Sequence, residues 1–122
     1  LGEQHSSRRV ATCTDVAQAL RTADGLVNAT PMGMHSHPGS PVEVDLLHPG
    51  LWVADIVYFP LETALLAAAR AHGCRTLDGS GMAVHQAAAA FEIFTGRPAD
   101  VERMRLSFMK FRVPQGAAAA SA

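Results

Sequence analysis

Apolar side chains along this chain recur with two different periods, and the switches between them mark its elements. Val16, Ala19, Leu20 and Ala23 fall on one face of a helix that starts at Thr14, with Thr14 and Asp15 suited to its cap and first turn. A short strand near residues 10–13 is expected just before it. Gly25 opens another strand, over 26–30, and Pro31, Gly33, Pro38, Gly39 and Pro41 then break the chain into a long loop. Residues 51–58 read as a buried strand, rich in apolar and aromatic side chains, that Pro60 ends.

Leu61, Leu65, Leu66 and Ala69 share a helix face, and that helix stops at Gly73, a residue type that readily takes a left-handed C-terminal cap. A strand over 74–78 follows. Met82, Gln86, Ala89, Ala90 and Ile93 mark the apolar face of the next helix, closed by Thr95-Gly96, and Val101, Met104, Phe108 and Phe111 mark a last amphipathic helix. Strands and helices alternating at these separations predict parallel crossover units, so the fold class is α/β, a parallel sheet covered by helices.

At 122 residues and 12.9 kDa the chain has room for one domain, and its 48% of apolar residues suffices to fill a core. Ten Lys and Arg interleave with eleven Asp and Glu and form no basic stripe, which excludes nucleic acid as a favoured partner. The longest apolar runs, 64–69 and 87–91, fall far short of the roughly 18 residues that cross a bilayer, so no membrane partner is expected either. Cys13 and Cys74 are widely separated and form no C-x-x-C pair. Two reduced thiols in a cytoplasmic protein are expected, without a metal. The chain opens at Leu1, with neither Met nor a signal segment, and is expected to be a piece of a longer protein.

Ligands of open parallel sheets sit beyond the carboxyl ends of the strands, and here each main strand ends in an unusual segment. These are Asn28-Ala-Thr-Pro-Met-Gly-Met34, Asp55-Ile-Val-Tyr-Phe-Pro60 and Asp78-Gly-Ser-Gly-Met82. Singly, each has a plain explanation: Asn28 and Asp55 bond local backbone, Tyr58 is a half-buried strand aromatic, and the glycines turn the chain. Gly79-Ser-Gly-Met-Ala-Val84 starts like a dinucleotide fingerprint but fails at Val84, where a third small residue belongs. Gly79 still lets backbone approach a ligand closely. His35 and His37 lie in a Pro/Gly loop without an acidic or thiol partner at useful spacing and read as solvated. Gln86 lies on an apolar helix face, where its amide needs a partner from backbone, water or a hydroxylated ligand. The single lysine, Lys110, sits in the last helix and reads as a surface residue, and G-x-S-x-G is missing. The chain is equipped to bind more than to move a proton.

Taken together, N-A-T-P-M-G-M at 28–34, D-I-V-Y-F-P-L-E-T-A-L-L at 55–66 and D-G-S-G-M-A-V-H-Q with F-E-I-F-T-G at 78–96 resemble the C-terminal half of shikimate dehydrogenase. P-M-G-M and M-A-V-H-Q are most similar to the quinate/shikimate branch of that family. The resemblance runs from about residue 25 to 111 and implies a Rossmann-like sheet, here incomplete, followed by C-terminal helices. Residues 1–112 would form part of the coenzyme-binding domain and 113–122 a disordered tail. The implied activity is reversible hydride transfer between NAD or NADP and shikimate or quinate, in the cytoplasm, with a homodimer as the implied assembly.

By that resemblance Thr30, Pro31, Met32, Gly33 and Met34 line the nicotinamide nucleotide, Ile56 and Gly79 contribute backbone contacts beside it, and Met82 packs near its ring. Tyr58 and Gln86 match the positions that bond the substrate's carboxylate and hydroxyls. The Lys/Asp pair that acts on the reacting hydroxyl, the first strand with its glycine turn, and the strand end that selects the coenzyme have no counterpart here. A base that takes the hydroxyl proton is worth roughly 10²- to 10⁴-fold, so this chain alone is expected to be nearly inactive. The rival expectations are a non-catalytic truncated binding or interaction module and an α/β remnant that binds nothing.

Overall fold

The computed structural model of the protein describes residues 10–111. The polar opening at 1–9 and the tail expected over 113–122 lie outside the described residues. In chain order the elements are α1 (Val16–Thr22), β1 (Gly25–Asn28), a 3-10 turn (Val44–Leu46), β2 (Trp52–Asp55), α2 (Ala64–Ala71), β3 (Arg75–Leu77), α3 (Ser80–Thr95) and α4 (Val101–Lys110). The strands pair in the order β1-β2-β3 and both pairs are parallel, with Leu26 beside Val53 and Val53 beside Thr76. The fold is therefore α/β, as the alternation of periods requires.

Local chemistry sets the helix ends. The Asp15 carboxylate accepts the Gln18 amide at 2.9 Å and starts α1, and the Asp100 carboxylate does the same for Arg103 in α4. Thr63 caps α2 by accepting the Leu66 amide at 3.2 Å. Gly73, just past α2, and Gly96, just past α3, take φ of +78° and +67°, values that cost a residue with a Cβ strain energy. On α4 the Arg105 guanidinium bonds the Glu102 carboxyl and holds it below the usual carboxylate range, though both groups stand in solvent.

Strand alternation sends Val53 to one face of the sheet, where Leu20 of α1 and Leu65, Leu66 and Ala69 of α2 join it with Leu47, Leu51 and Cys74 in a single core. The opposite face carries Val27, Trp52 and Leu77, exposed at 52%, 40% and 68%. Among the described residues, then, helices cover the sheet from one side. No helix among them is long and apolar enough to cross a membrane.

Several boundaries and one face differ from the pattern reading. Residues 10–13 form no strand: they are exposed, and Val10 with the small side chains Ala11, Thr12 and Cys13 supplies neither a hydrogen-bonded neighbour nor much apolar area to bury. β1 ends at Asn28 and β2 at Asp55, both short of the expected ends, because each side chain turns back to bond the amide two residues on, at Thr30 and Val57. Leu61 is buried but precedes α2, so its spacing to Leu65 mimics a helical pair. In α3 the buried positions are Val84 and Ala88, not the face of Met82, Gln86, Ala89, Ala90 and Ile93. The helix is apolar nearly all round, and so its periodicity cannot select a face.

The core assignment predicts that Leu66→Ala, at a fully buried site, lowers unfolding stability by about 2–5 kcal/mol in urea titration. A loss within experimental error of zero contradicts it.

Candidate functional site

The three strand ends expected to form a site do come together. Asn28, at the end of β1, donates through Nδ2 to Asp55 Oδ1 at the end of β2 over 3.0 Å. Gly79, after β3, lies under the turn that follows β2: a Cβ there would sit 2.7 Å from the Val57 carbonyl oxygen and 2.8 Å from that of Ile56. Gly79 is thus required by the packing of two protein segments against each other, and its closeness to backbone is spent inside the molecule.

Asn28, Asp55 and Thr63 are the buried polar residues at this edge, exposed by 2%, 3% and 1%. Asp55 Oδ1 accepts the Asn28 amide and the Val57 N–H, each at 3.0 Å, while Oδ2 accepts the Thr63 hydroxyl at 2.8 Å. Three donors aimed at one carboxyl group satisfy it without an ion pair. Asn28 is equally committed. Its Nδ2 also donates to the Met32 carbonyl at 2.9 Å, and its Oδ1 accepts the Thr30 amide at 3.0 Å and the Thr30 hydroxyl at 2.6 Å. The Thr30 hydroxyl accepts the Met32 amide at 3.2 Å in turn.

Above this floor lies a cleft of about 590 Å³ lined by Ala29, Thr30, Pro31, Met34, Ile56, Val57, Tyr58 and Phe59. One wall comes from the loop after β1 and the other from the segment after β2. At the rim the two meet again, where the His35 ring stands edge-on to Phe59 at 5.4 Å. His35 is thus part of the rim, and among the described residues no group of His, Cys, Asp and Glu is arranged to hold a metal. The lining contains no carboxylate, imidazole or amine, and its side-chain polar groups are the Thr30 hydroxyl and the Tyr58 phenol. Such a cleft suits a flat, largely uncharged ring with polar edges.

Of the residues singled out from sequence, Thr30, Pro31, Met34, Ile56 and Tyr58 line this cleft together. Gly33, at φ +104°, backs onto Thr63, and the Met32 methyl reaches toward Gly39, so both brace the loop from outside the lining. Met82 and Gln86 are both exposed, one helical turn apart on α3, and neither is among the cleft-lining residues. The expected burial of Gln86 fails: its amide bonds the Ala83 carbonyl at 3.2 Å on an exposed face. Tyr58 is half-exposed and follows β2 rather than lying in it, with its ring 6.3 Å from that of Phe108 on α4. Sequence reasoning gave Asn28 and Asp55 a plain explanation as local backbone binders and did not single out Thr63. The signal available was a polar residue closing each of two buried apolar strands, which demands a partner across the sheet.

A parallel sheet with a polar floor and an apolar cleft at its carboxyl edge defines the class as a Rossmann-like α/β protein. Residues 79–105 match the family described as Shikimate 5'-dehydrogenase C-terminal domain. The quinate/shikimate dehydrogenase (NAD(+)) of Corynebacterium efficiens is 58% identical over 94 residues, covering 77% of this chain and 33% of that protein. The shikimate dehydrogenase (NADP(+)) of Streptomyces avermitilis is 60% identical over 98 residues, covering 80% and 34%. Quinate dehydrogenase from Corynebacterium glutamicum, solved in complex with NAD, superposes with a TM-score of 0.74 at 54% identity, covering 79% of this chain and 34% of that one. The chain belongs to the shikimate dehydrogenase family and corresponds to its C-terminal portion. It spans about a third of the length of these relatives.

The packing at Gly79 predicts that Gly79→Ala costs about 1–3 kcal/mol in thermal or urea unfolding, because the added methyl meets backbone carbonyls and no flexible side chain can yield. Gly81, with open space around its would-be Cβ, is the control, and equal effects at the two positions would count against this reading.

Proposed function

We propose that this chain forms part of a shikimate or quinate dehydrogenase and that its cleft receives the nicotinamide end of NAD or NADP. The observation that carries the proposal is the cleft itself: two strand-end segments tied at floor and rim, with a lining whose polar groups are one hydroxyl and one phenol. The relatives' names, which pair these substrates with NAD or NADP, agree with it.

When bound, the coenzyme supplies the hydride acceptor or donor. The residues fit its nicotinamide end, since Pro31, Met34 and Ile56 offer apolar walls to a planar ring and Thr30 a backbone turn at its edge. Met32, Gly33 and Gly79 act in this proposal by holding those walls in place, and Met82 by approaching the ring from α3. Tyr58 and Gln86, both exposed, present a phenol and an amide to a carboxylate and hydroxyls of the substrate. These residues bind and orient, and the transfer of the hydroxyl proton is assigned to none of them. Residues 1–112 are proposed as part of the coenzyme domain and 113–122 as its tail, in a cytoplasmic protein that pairs with a second copy.

Titration of the 122-residue chain with NADH and with NADPH, followed by amide shifts, tests this reading. Saturable shifts centred on Thr30, Met34 and Ile56 are expected, and Ile56→Glu should weaken them at least about tenfold, by roughly 1.4 kcal/mol or more. No saturable shift with either nucleotide at millimolar concentration would falsify it.

A further inference from the structure

We propose that Asn28 is a positioning residue for the cleft: through Asp55 it fixes the loop from Ala29 to Met34 against the segment that follows β2. The proposal rests on the reading of the cleft as a coenzyme site and names a residue that bonds the lining residue Thr30 without lining the cleft itself. Asn28 is 2% exposed and lies beneath the cleft. A primary amide has two N–H donors and an oxygen with two lone pairs, and Asn28 uses all four. Two bonds reach Thr30, one reaches the Met32 carbonyl and one reaches Asp55, at 2.6 to 3.0 Å.

Each bond does a different thing. The pair to Thr30 closes the turn in which the chain leaves the sheet. The bond to Met32 holds the loop's far side over the same turn. The bond to Asp55 joins that assembly to the other wall, because the same Oδ1 accepts the Val57 amide and so fixes the backbone between Ile56 and Tyr58. Asp55 is itself held from behind by the Thr63 hydroxyl, at the cap of α2. One side chain therefore sets the separation of the two walls relative to the rigid core. A binding group misplaced by an ångström loses much of its effect, so the device matters to ligand affinity even though Asn28 does not line the cleft.

An aspartate, serine or alanine at position 28 cannot reproduce this set. Aspartate lacks both donors and would face the Asp55 carboxyl, and serine is too short to span from Thr30 to Asp55. The alternative is that Asn28 merely contributes stability, as any buried hydrogen-bonded side chain does.

Amide hydrogen exchange of the 122-residue chain without ligand, with NADH binding measured alongside, decides between them. The informative amides are Gly33, bonded to the His37 carbonyl at 2.8 Å, and Met34, bonded to that of Pro31 at 3.1 Å, since neither bonds Asn28. In Asn28→Ala their exchange should quicken at least about tenfold, while Ala69 and Cys74 in the core stay within about twofold. NADH affinity should fall by a similar factor. Uniform acceleration at core and loop alike, or unchanged exchange at Gly33 and Met34, overturns the proposal. If Asn28→Ala does not fold, Thr30→Val, at an exposed position, should quicken the same two amides by about threefold or more, and no change there overturns it. Failure of the unaltered chain to bind NADH counts against the coenzyme reading alone, because the exchange data need no ligand.

Discussion

A carboxyl group with almost no contact with water, Asp55, sits at the centre of this structure, and it is tolerable there because three donors surround it. Those donors come from three places: the end of β1, the backbone just beyond β2, and the cap of α2. Whatever else the strand ends do, they must stay close enough to satisfy that group. The cleft above is the geometric consequence, since its walls are the two segments that this requirement pins together.

The same constraint separates the parts of the molecule. On one side of the sheet, Leu65, Leu66, Ala69 and Leu20 close a dry core against Val53, and Thr63 links that core to Asp55 through a single hydroxyl. The other side leaves Val27, Trp52 and Leu77 exposed, and α3 and α4 pack mainly on each other. Rigidity is therefore concentrated where the core, the polar floor and the cleft meet. That is where a site that must hold a ligand in one orientation gains most from a fixed edge.

Much of this was legible in the residues. One helix start and one helix stop could be read because Asp15 and Gly73 do by side chain and by φ what such residues generally do. The parallel sheet followed from the spacing of its strands, and the convergence of their ends from the rule that ligands collect there. What could not be read was any property that depends on a partner far along the chain. Asn28 and Asp55 are 27 residues apart, and nothing local to either says that the other will complete it. Residues 10–13 looked like a strand for the same reason in reverse, since propensity is local but a strand needs a neighbour. The face of α3 was misjudged because alanines surround it, and Gln86 was placed in a buried setting that the described residues do not provide. Gly79 was noticed for its possible closeness to a ligand, whereas its closeness to the Val57 carbonyl is the reason a side chain cannot stand there.

The most direct test is a double-mutant cycle on the floor of the cleft, with Asn28→Ala, Asp55→Ala and the pair compared in urea unfolding. If the strand ends depend on this contact, the two losses will fall short of additivity by about 1 kcal/mol or more, within the range seen for buried hydrogen-bonded neighbours. Strict additivity would mean that the two side chains act independently, and the account of how this edge is built would be wrong.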